Sequence, residues 1–206
     1  MNLALFDFDG TITTEDTFTA FLFYATPKRR LAIGFALVWP VILLYKLGLL
    51  PARKTRPVLA YVAFWHRREA DVDLIAKRFA DEYLTTVLRP DSMEMLAEHK
   101  ANSDDVYLVS ATLNIYLQHF CQKQGIKLLC STMEVKNGRF TGRYVKGDCS
   151  CENKAIAVKD AVDLSSYSMV FAYGDTDEDL PMLDLADKKV MCGKPLATGS
   201  GKSSSN

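Results

Sequence analysis

Short apolar runs alternate along much of this chain with segments of helical periodicity. Leu3 to Phe8 is rich in strand formers and breaks off at Asp9-Gly10-Thr11. Val106 to Val109, Ile126 to Cys130 and Met169 to Tyr173 are runs of the same kind. Residues 91–101, 113–124, 153–162 and 177–187 lie among them with helical spacing. Strands alternating with helices of this length predict an α/β fold, a mostly parallel sheet covered on both faces. Met133 to Lys136, Asn137-Gly138 and Arg139 to Thr141 predict a hairpin, because Asn-Gly favours the tight turn that joins two antiparallel strands.

Residues 17–89 follow a different pattern: no strand, and helical spacing such as Val72, Ile75, Phe79, Tyr83 and Val87. They predict an all-helical insert, with residues 1–16 and 90–196 forming the core and 197–206 a Gly/Ser-rich disordered tail. Gly201-Lys202-Ser203 in that tail is not a phosphate loop, since the motif's first glycine falls on Leu196.

Composition narrows the class. The chain has 206 residues, 49% of them hydrophobic, which excludes a disordered protein. With 25 basic and 25 acidic side chains it lacks the charge of a nucleic-acid polyelectrolyte. Five irregularly spaced cysteines, and an opening Met1-Asn2-Leu3-Ala4-Leu5-Phe6-Asp7 without a basic lead, predict reduced thiols in a cytoplasmic protein. Cys149-Ser150-Cys151 lacks the partner ligands of a zinc site.

The chemistry gathers where strands end. Asp7-Phe8-Asp9-Gly10-Thr11 closes the first run, and Gly174-Asp175-Thr176-Asp177-Glu178-Asp179 follows the run 169–173. Ligands of open parallel sheets bind beyond the strands' carboxyl ends. If these two strands are neighbours, Asp7, Asp9, Asp175 and Asp179 converge, and carboxylates that close need a cation. Mg²⁺, a hard ion that shares phosphate ligands, suits them. A calcium loop does not fit, because its glycine position holds Leu180 and its closing glutamate position Ala186. Asp177 reads as a helix-start residue. Ser110-Ala111-Thr112 offers a hydroxyl and backbone N–H groups for a phosphate, or a plain helix cap, and Lys154 is either solvated or a phosphate contact. His66, His99 and His119 offer no nucleophile-base arrangement with Ser110 and the nucleophile-elbow glycines are absent, which argues against a serine hydrolase.

In their order, Asp7-Phe8-Asp9-Gly10-Thr11, Ser110, Lys154 and Gly174-Asp175-Thr176-Asp177-Glu178-Asp179-Leu180-Pro181-Met182-Leu183 resemble the haloacid dehalogenase superfamily, specifically its phosphoserine-phosphatase-like branch. The resemblance implies a Rossmann-like core and a phosphatase with an aspartyl-phosphate intermediate. Asp7 would be the nucleophile and Asp9 the acid and base that favours phosphoryl transfer over dehalogenation. Mg²⁺ would be held by Asp7, the Asp9 backbone carbonyl and Asp175, with Asp179 supporting the site. Ser110, Ala111, Lys154, Gly10 and Thr11 would bind the phosphoryl group. Phosphotransfer to another acceptor shares every motif, and a binding-only module of the same fold would not need Asp9.

The insert, which in this family selects the substrate, points less clearly. Phosphoserine phosphatases usually carry Ser where this chain has Gly10 and Glu where it has Asp16, and Asp16 also reads as a helix cap. Arg53, Arg56, Arg67 and Arg68 could hold a carboxylate or second phosphate, or face solvent. Leu31 to Leu50 carries a single charge, Lys46, between Lys28-Arg29-Arg30 and Arg53, Lys54 and Arg56. Such a helix reaches about 30 Å, yet one crossing would separate Asp7 from Asp175. Two expectations remain: buried core of the insert paired with Val58 to Trp65, or peripheral membrane contact through residues 31–50 by a protein acting on a lipid-linked rather than small phosphate ester.

Overall fold

The computed structural model describes residues 1–196, the Phe35 side chain excepted. The expected tail and its Gly201-Lys202-Ser203 lie outside the described residues. The chain runs β1 (Leu3–Phe6), α1 (Thr17–Ala25), α2 (Lys28–Lys46), α3 (Ala52–Phe64), α4 (Glu69–Arg78), a π-helical turn (Phe79–Tyr83), α5 (Leu84–Val87) and α6 (Pro90–Ala101). It continues through β2 (Asp105–Leu113), α7 (Asn114–Gln124), β3 (Lys127–Ser131), β4 (Met133–Lys136), β5 (Arg139–Tyr144), α8 (Glu152–Ala161), β6 (Val170–Gly174), α9 (Leu180–Leu183), β7 (Lys188–Met191) and β8 (Lys194–Pro195).

The main sheet has the order β3-β2-β1-β6-β7-β8, parallel except for the β7–β8 pair. Alternation along the central strands supplies both faces. Ala4, Phe6 and Leu108 pack with Tyr116, Leu117 and Phe120 of α7, whereas Leu3, Leu5 and Val109 pack with Val158 of α8. β1 lies between β2 and β6, with Phe6 opposite both Leu108 and Tyr173. The condition for converging carboxylates is therefore met.

The expected hairpin forms β4 and β5, with Asn137 and Gly138 both at positive φ as its tight turn requires. It braces α3: the Phe140 amide donates to Arg67 O at 2.9 Å, His66 N–H donates to Phe140 O at 2.8 Å, and the Phe64 and Phe140 rings are 6.1 Å apart.

Three expectations need correction. Ser110-Ala111-Thr112 does not open a helix: β2 continues to Leu113, with its pairing to β3 shifted between Ser110 and Leu113, and α7 begins at Asn114. The expected helix over 177–187 is a 3₁₀ turn, Asp177–Asp179, followed by the four-residue α9. Beyond it Lys188–Met191 forms β7, whose two lysines hid a short strand near the sheet's edge. Finally, α2 pairs with α3 as expected but is not buried. Gly34 and Val38 face inward, and a Cβ at position 34 would stand 2.6 Å from Val62 Cγ1. Leu37 is 70% exposed and Trp39 59%. No helix among the described residues is long and apolar enough to cross a membrane.

Candidate active site

The carboxyl ends of β1, β2 and β6 open into a cavity of about 380 Å³, roofed by Tyr45, Arg56 and Leu59 of the helical insert. Asp7, Asp9, Ser110, Ala111, Lys154, Asp175 and Asp179 all line it. Gly10 and Thr11 do not. Gly10 has φ +83°, and a Cβ there would lie 2.0 Å from Asp175 Oδ2, so the close approach of the two loops requires glycine. Thr11 is buried, its carbonyl accepting from Ser92 Oγ at 2.6 Å.

Lys154 stands in the third helical position of α8, almost wholly buried, with Nζ donating to Asp7 Oδ1 and, at 2.6 Å, to Asp179 Oδ1. The solvated reading of this lysine is thereby excluded. Burial alone would lower its pKa, but the two carboxylates outweigh burial and hold it well above the ordinary lysine value. Burial raises the Asp7 pKa, Lys154 opposes that rise, and Asp179 and Asp9 add to it. The other oxygen of Asp179 accepts from the backbone N–H groups of Asp175 (3.0 Å) and Thr176 (3.1 Å), which fixes the loop after β6.

Asp9, also on the cavity wall, is held from α1 and β2. Its Oδ1 accepts from Thr17 N at 3.0 Å and from the Thr17 hydroxyl, and its Oδ2 from Thr112 Oγ1 at 2.8 Å. Thr17 Oγ1 lies 2.7 Å from the Tyr116 hydroxyl. Burial nonetheless holds the Asp9 pKa above the ordinary carboxylate value, against those hydrogen bonds. Ser110 Oγ accepts from Thr112 N at 3.1 Å, a local turn at the irregularity in β2 rather than a helix cap.

Oxygens of Asp7, Asp175 and Asp179 lie within 4.8 Å of one another. Three carboxylates, one already tied to Lys154 and backbone amides, form an all-oxygen donor set that fits a hard divalent cation such as Mg²⁺. All five cysteines are free thiols, with Cys121 and Cys149 buried.

Asp16 caps α1, accepting from Thr19 N at 3.1 Å, and also lines the cavity. Of the four candidate arginines Arg56 alone lines it, pairing with Asp148 at 3.3 Å and Glu178 at 3.0 Å. Arg67 donates to Ala25 O, and Arg53 reaches Glu152 only at 3.9 Å. Sequence reasoning missed Thr17 and Tyr116. Thr17 gave one usable signal, its place directly after a helix cap.

The haloacid dehalogenase-like hydrolase family matches residues 4–184. This chain belongs to that family. It is 29% identical to protein CicA of Caulobacter vibrioides over 94% of this chain and 88% of the relative. It is 24% identical to a histidinol-phosphatase of Neisseria meningitidis serogroup C, over 92% of this chain and 89% of the relative. Among solved structures, a protein of unknown function from Bordetella pertussis Tohama I aligns with a TM-score of 0.77 at 21% identity, covering 92% of this chain and 89% of that one. A probable phosphoserine phosphatase from Vibrio cholerae aligns with a TM-score of 0.69 at 18% identity, covering 92% and 55%. The Rossmann-like hydrolase fold is thus shared with the phosphoserine-phosphatase-like branch.

Proposed function

We propose that this hydrolase is a Mg²⁺-dependent phosphomonoesterase working through an aspartyl-phosphate, with residues 1–16 and 90–196 as its core and 17–89 as a helical cap over the site. Phosphatase activity rests on the family and on relatives named as phosphatases. The observation that carries the mechanism is the convergence of Asp7, Asp9, Ser110, Lys154 and Asp175 on one cavity. In this reading an Asp7 carboxylate oxygen attacks phosphorus, the ester P–O bond breaks, and Asp9 gives its proton to the leaving alkoxide. A water then loses a proton to Asp9 and attacks the phosphoryl group, which releases phosphate and restores the Asp7 carboxylate. The raised pKa of Asp9 favours the protonated form that the first step needs. Lys154 holds Asp7 in place and, with Ser110 and Ala111, binds the phosphoryl oxygens. Mg²⁺ held by Asp7, Asp175 and the Asp9 carbonyl, with Asp179 in support, would offset the charge gathered on carboxylates and phosphate.

The test is phosphate release from phosphoserine, histidinol phosphate, sugar phosphates and dispersed phosphatidylglycerophosphate, with and without Mg²⁺. Turnover that requires Mg²⁺ is the expected result, and equal turnover in a chelator would remove the metal from the account.

A second reading adds peripheral membrane contact, favoured by the exposed face of α2. Between Thr17 and Arg68 the chain has no acidic residue and nine basic ones: Lys28, Arg29, Arg30, Lys46, Arg53, Lys54, Arg56, Arg67 and Arg68. Of these, Lys28 and Arg29 open α2, where positive charge opposes the helix dipole, so local helix stability does not explain them. Anionic headgroups would. The protein should co-sediment with vesicles containing anionic lipid, and Leu37→Glu should release it. Equal sedimentation of the variant, or none by the natural protein, would overturn this reading.

A further inference from the structure

Between α1, α2 and α3 lies a second cavity of about 390 Å³, lined almost entirely by apolar surface from residues such as Leu22, Val38, Ile42 and Val62. Thr19, Tyr45, Thr55 and Leu59 line both this cavity and the catalytic one, so a single layer of side chains separates them. The two spaces differ sharply in chemistry. One presents carboxylates, Lys154 and Ser110, whereas the other exposes mostly carbon, with Thr26, Arg30, Tyr45 and Lys46 among its few polar side chains.

Of the polar residues along the apolar cavity, Thr19, Thr55 and Arg30 are engaged, whereas the buried Thr26 hydroxyl has no hydrogen-bond partner among the described residues. Thr19 Oγ1 donates to Asp16 Oδ2 at 2.6 Å, and Thr55 Oγ1 to Pro51 O at 3.3 Å. Arg30 donates to the carbonyls of Val62 (2.8 Å) and Trp65 near the end of α3, so its guanidinium is committed to that helix rather than offered to a second anion. An apolar space gains when an apolar group fills it, because wall atoms recover contacts they lack when it is empty. Ligand pockets span about 300–1,000 Å³, and this space lies at the lower end, a size suited to one apolar chain.

We infer that the cavity holds the substrate's apolar tail, so that the phosphate esters processed are those of single-chain amphiphilic alcohols. The inference rests on the phosphatase reading for the head of the substrate and adds what the helical insert selects. The phosphate lies at Asp7, and the chain passes Thr19, Tyr45, Thr55 and Leu59 into the space beside Val38.

The experiment is calorimetric titration of the whole chain, in Mg²⁺, with alkyl phosphonates from ethyl to dodecyl below their aggregation limits, alongside phosphate release from the matching alkyl phosphates. Affinity should rise about fourfold per methylene and then level off when the space is full. Val38→Phe should bring the plateau to a shorter chain and Val38→Ala to a longer one. If Val38→Phe does not fold, the natural protein and Val38→Ala still decide. Affinity independent of length, or a plateau unmoved by Val38→Ala, would overturn the inference, the second by placing the tail elsewhere, such as the exposed face of α2. Length-dependent binding with no phosphate release would keep the tail site and refute the phosphatase reading. Equal release from short and long esters would do the reverse. Turnover confined to two-chain lipids in vesicles would also overturn the inference.

Discussion

Lys154 joins α8 to the ends of β1 and β6 by its ion pairs with Asp7 and Asp179. Removing one member of a buried ion pair leaves uncompensated charge, so Lys154→Ala should cost about 3–5 kcal/mol in urea unfolding. A loss within experimental error would show that this lysine is not the keystone of the loops. Asp9→Asn keeps the size of the side chain but removes the proton donor, and kcat should fall by about 10²–10⁴-fold. An unchanged kcat would relieve Asp9 of its acid–base role. Away from the site, Asp104 accepts from Asn2 N at 3.0 Å and lies 2.9 Å from His99 Nδ1. Burial alone would raise its pKa, but the His99 and Asn2 hydrogen bonds prevail and hold it below the ordinary value. Its stabilisation is therefore fully present above the unfolded carboxylate pKa of about 3.9, and is lost as pH falls through the lower folded value. Asp104→Asn should lower the Tm at neutral pH, at a cost of about 1–3 kcal/mol, and the gap should close in acid. A gap that persists in acid would assign the effect to shape rather than charge. At this scale Asp7, Asp9 and Asp175 were legible because two acidic strand ends fall in one parallel sheet, a combination a single Asp-Gly turn does not explain. Tyr116 was not, because a tyrosine within a helix carries no mark of the site it serves, and Thr17 was marked only by its place after a helix cap.

The elements were read from periodicity wherever burial imposed it. β1, the hairpin and α7 follow from a short apolar run of strand formers, Asn137-Gly138 and helical spacing respectively. Periodicity failed where tertiary contacts rather than local pattern set the backbone. β2 runs on through Ser110-Ala111-Thr112 because β3 pairs beside it, with Leu113 opposite Ser131. β7 is a strand despite its lysines because β6 offers it an edge, with Tyr173 opposite Val190. Helix α3 reaches the site through Arg56, which bridges Asp148 and Glu178 beneath the helical insert. Hydrogen bonds to charged groups contribute about 1.5–3 kcal/mol, so Arg56→Ala should raise KM about tenfold while kcat changes less. If kcat alone falls, Arg56 acts on the reacting group and not on the closure of the site.

For the whole molecule, the sequence distinguished a parallel-sheet core from a helical insert but left α2 undecided, since burial within the insert and contact with a membrane call for the same apolar residues. In the structure Gly34 faces Val62 of α3 and Val38 is buried, while Leu37 and Trp39 are exposed. The molecule thus sets a cluster of carboxylates at the carboxyl ends of its central strands, with an apolar cavity one layer of side chains away. Everything in that account depends on Asp7 carrying the phosphoryl group. The direct test is rapid acid quenching of the protein with Mg²⁺ and a phosphate ester it turns over, followed by peptide mass analysis. A phosphoryl adduct on the peptide containing Asp7, absent from Asp7→Asn along with turnover, is the predicted result. Turnover that survives in Asp7→Asn, or an adduct on any other residue, would contradict it.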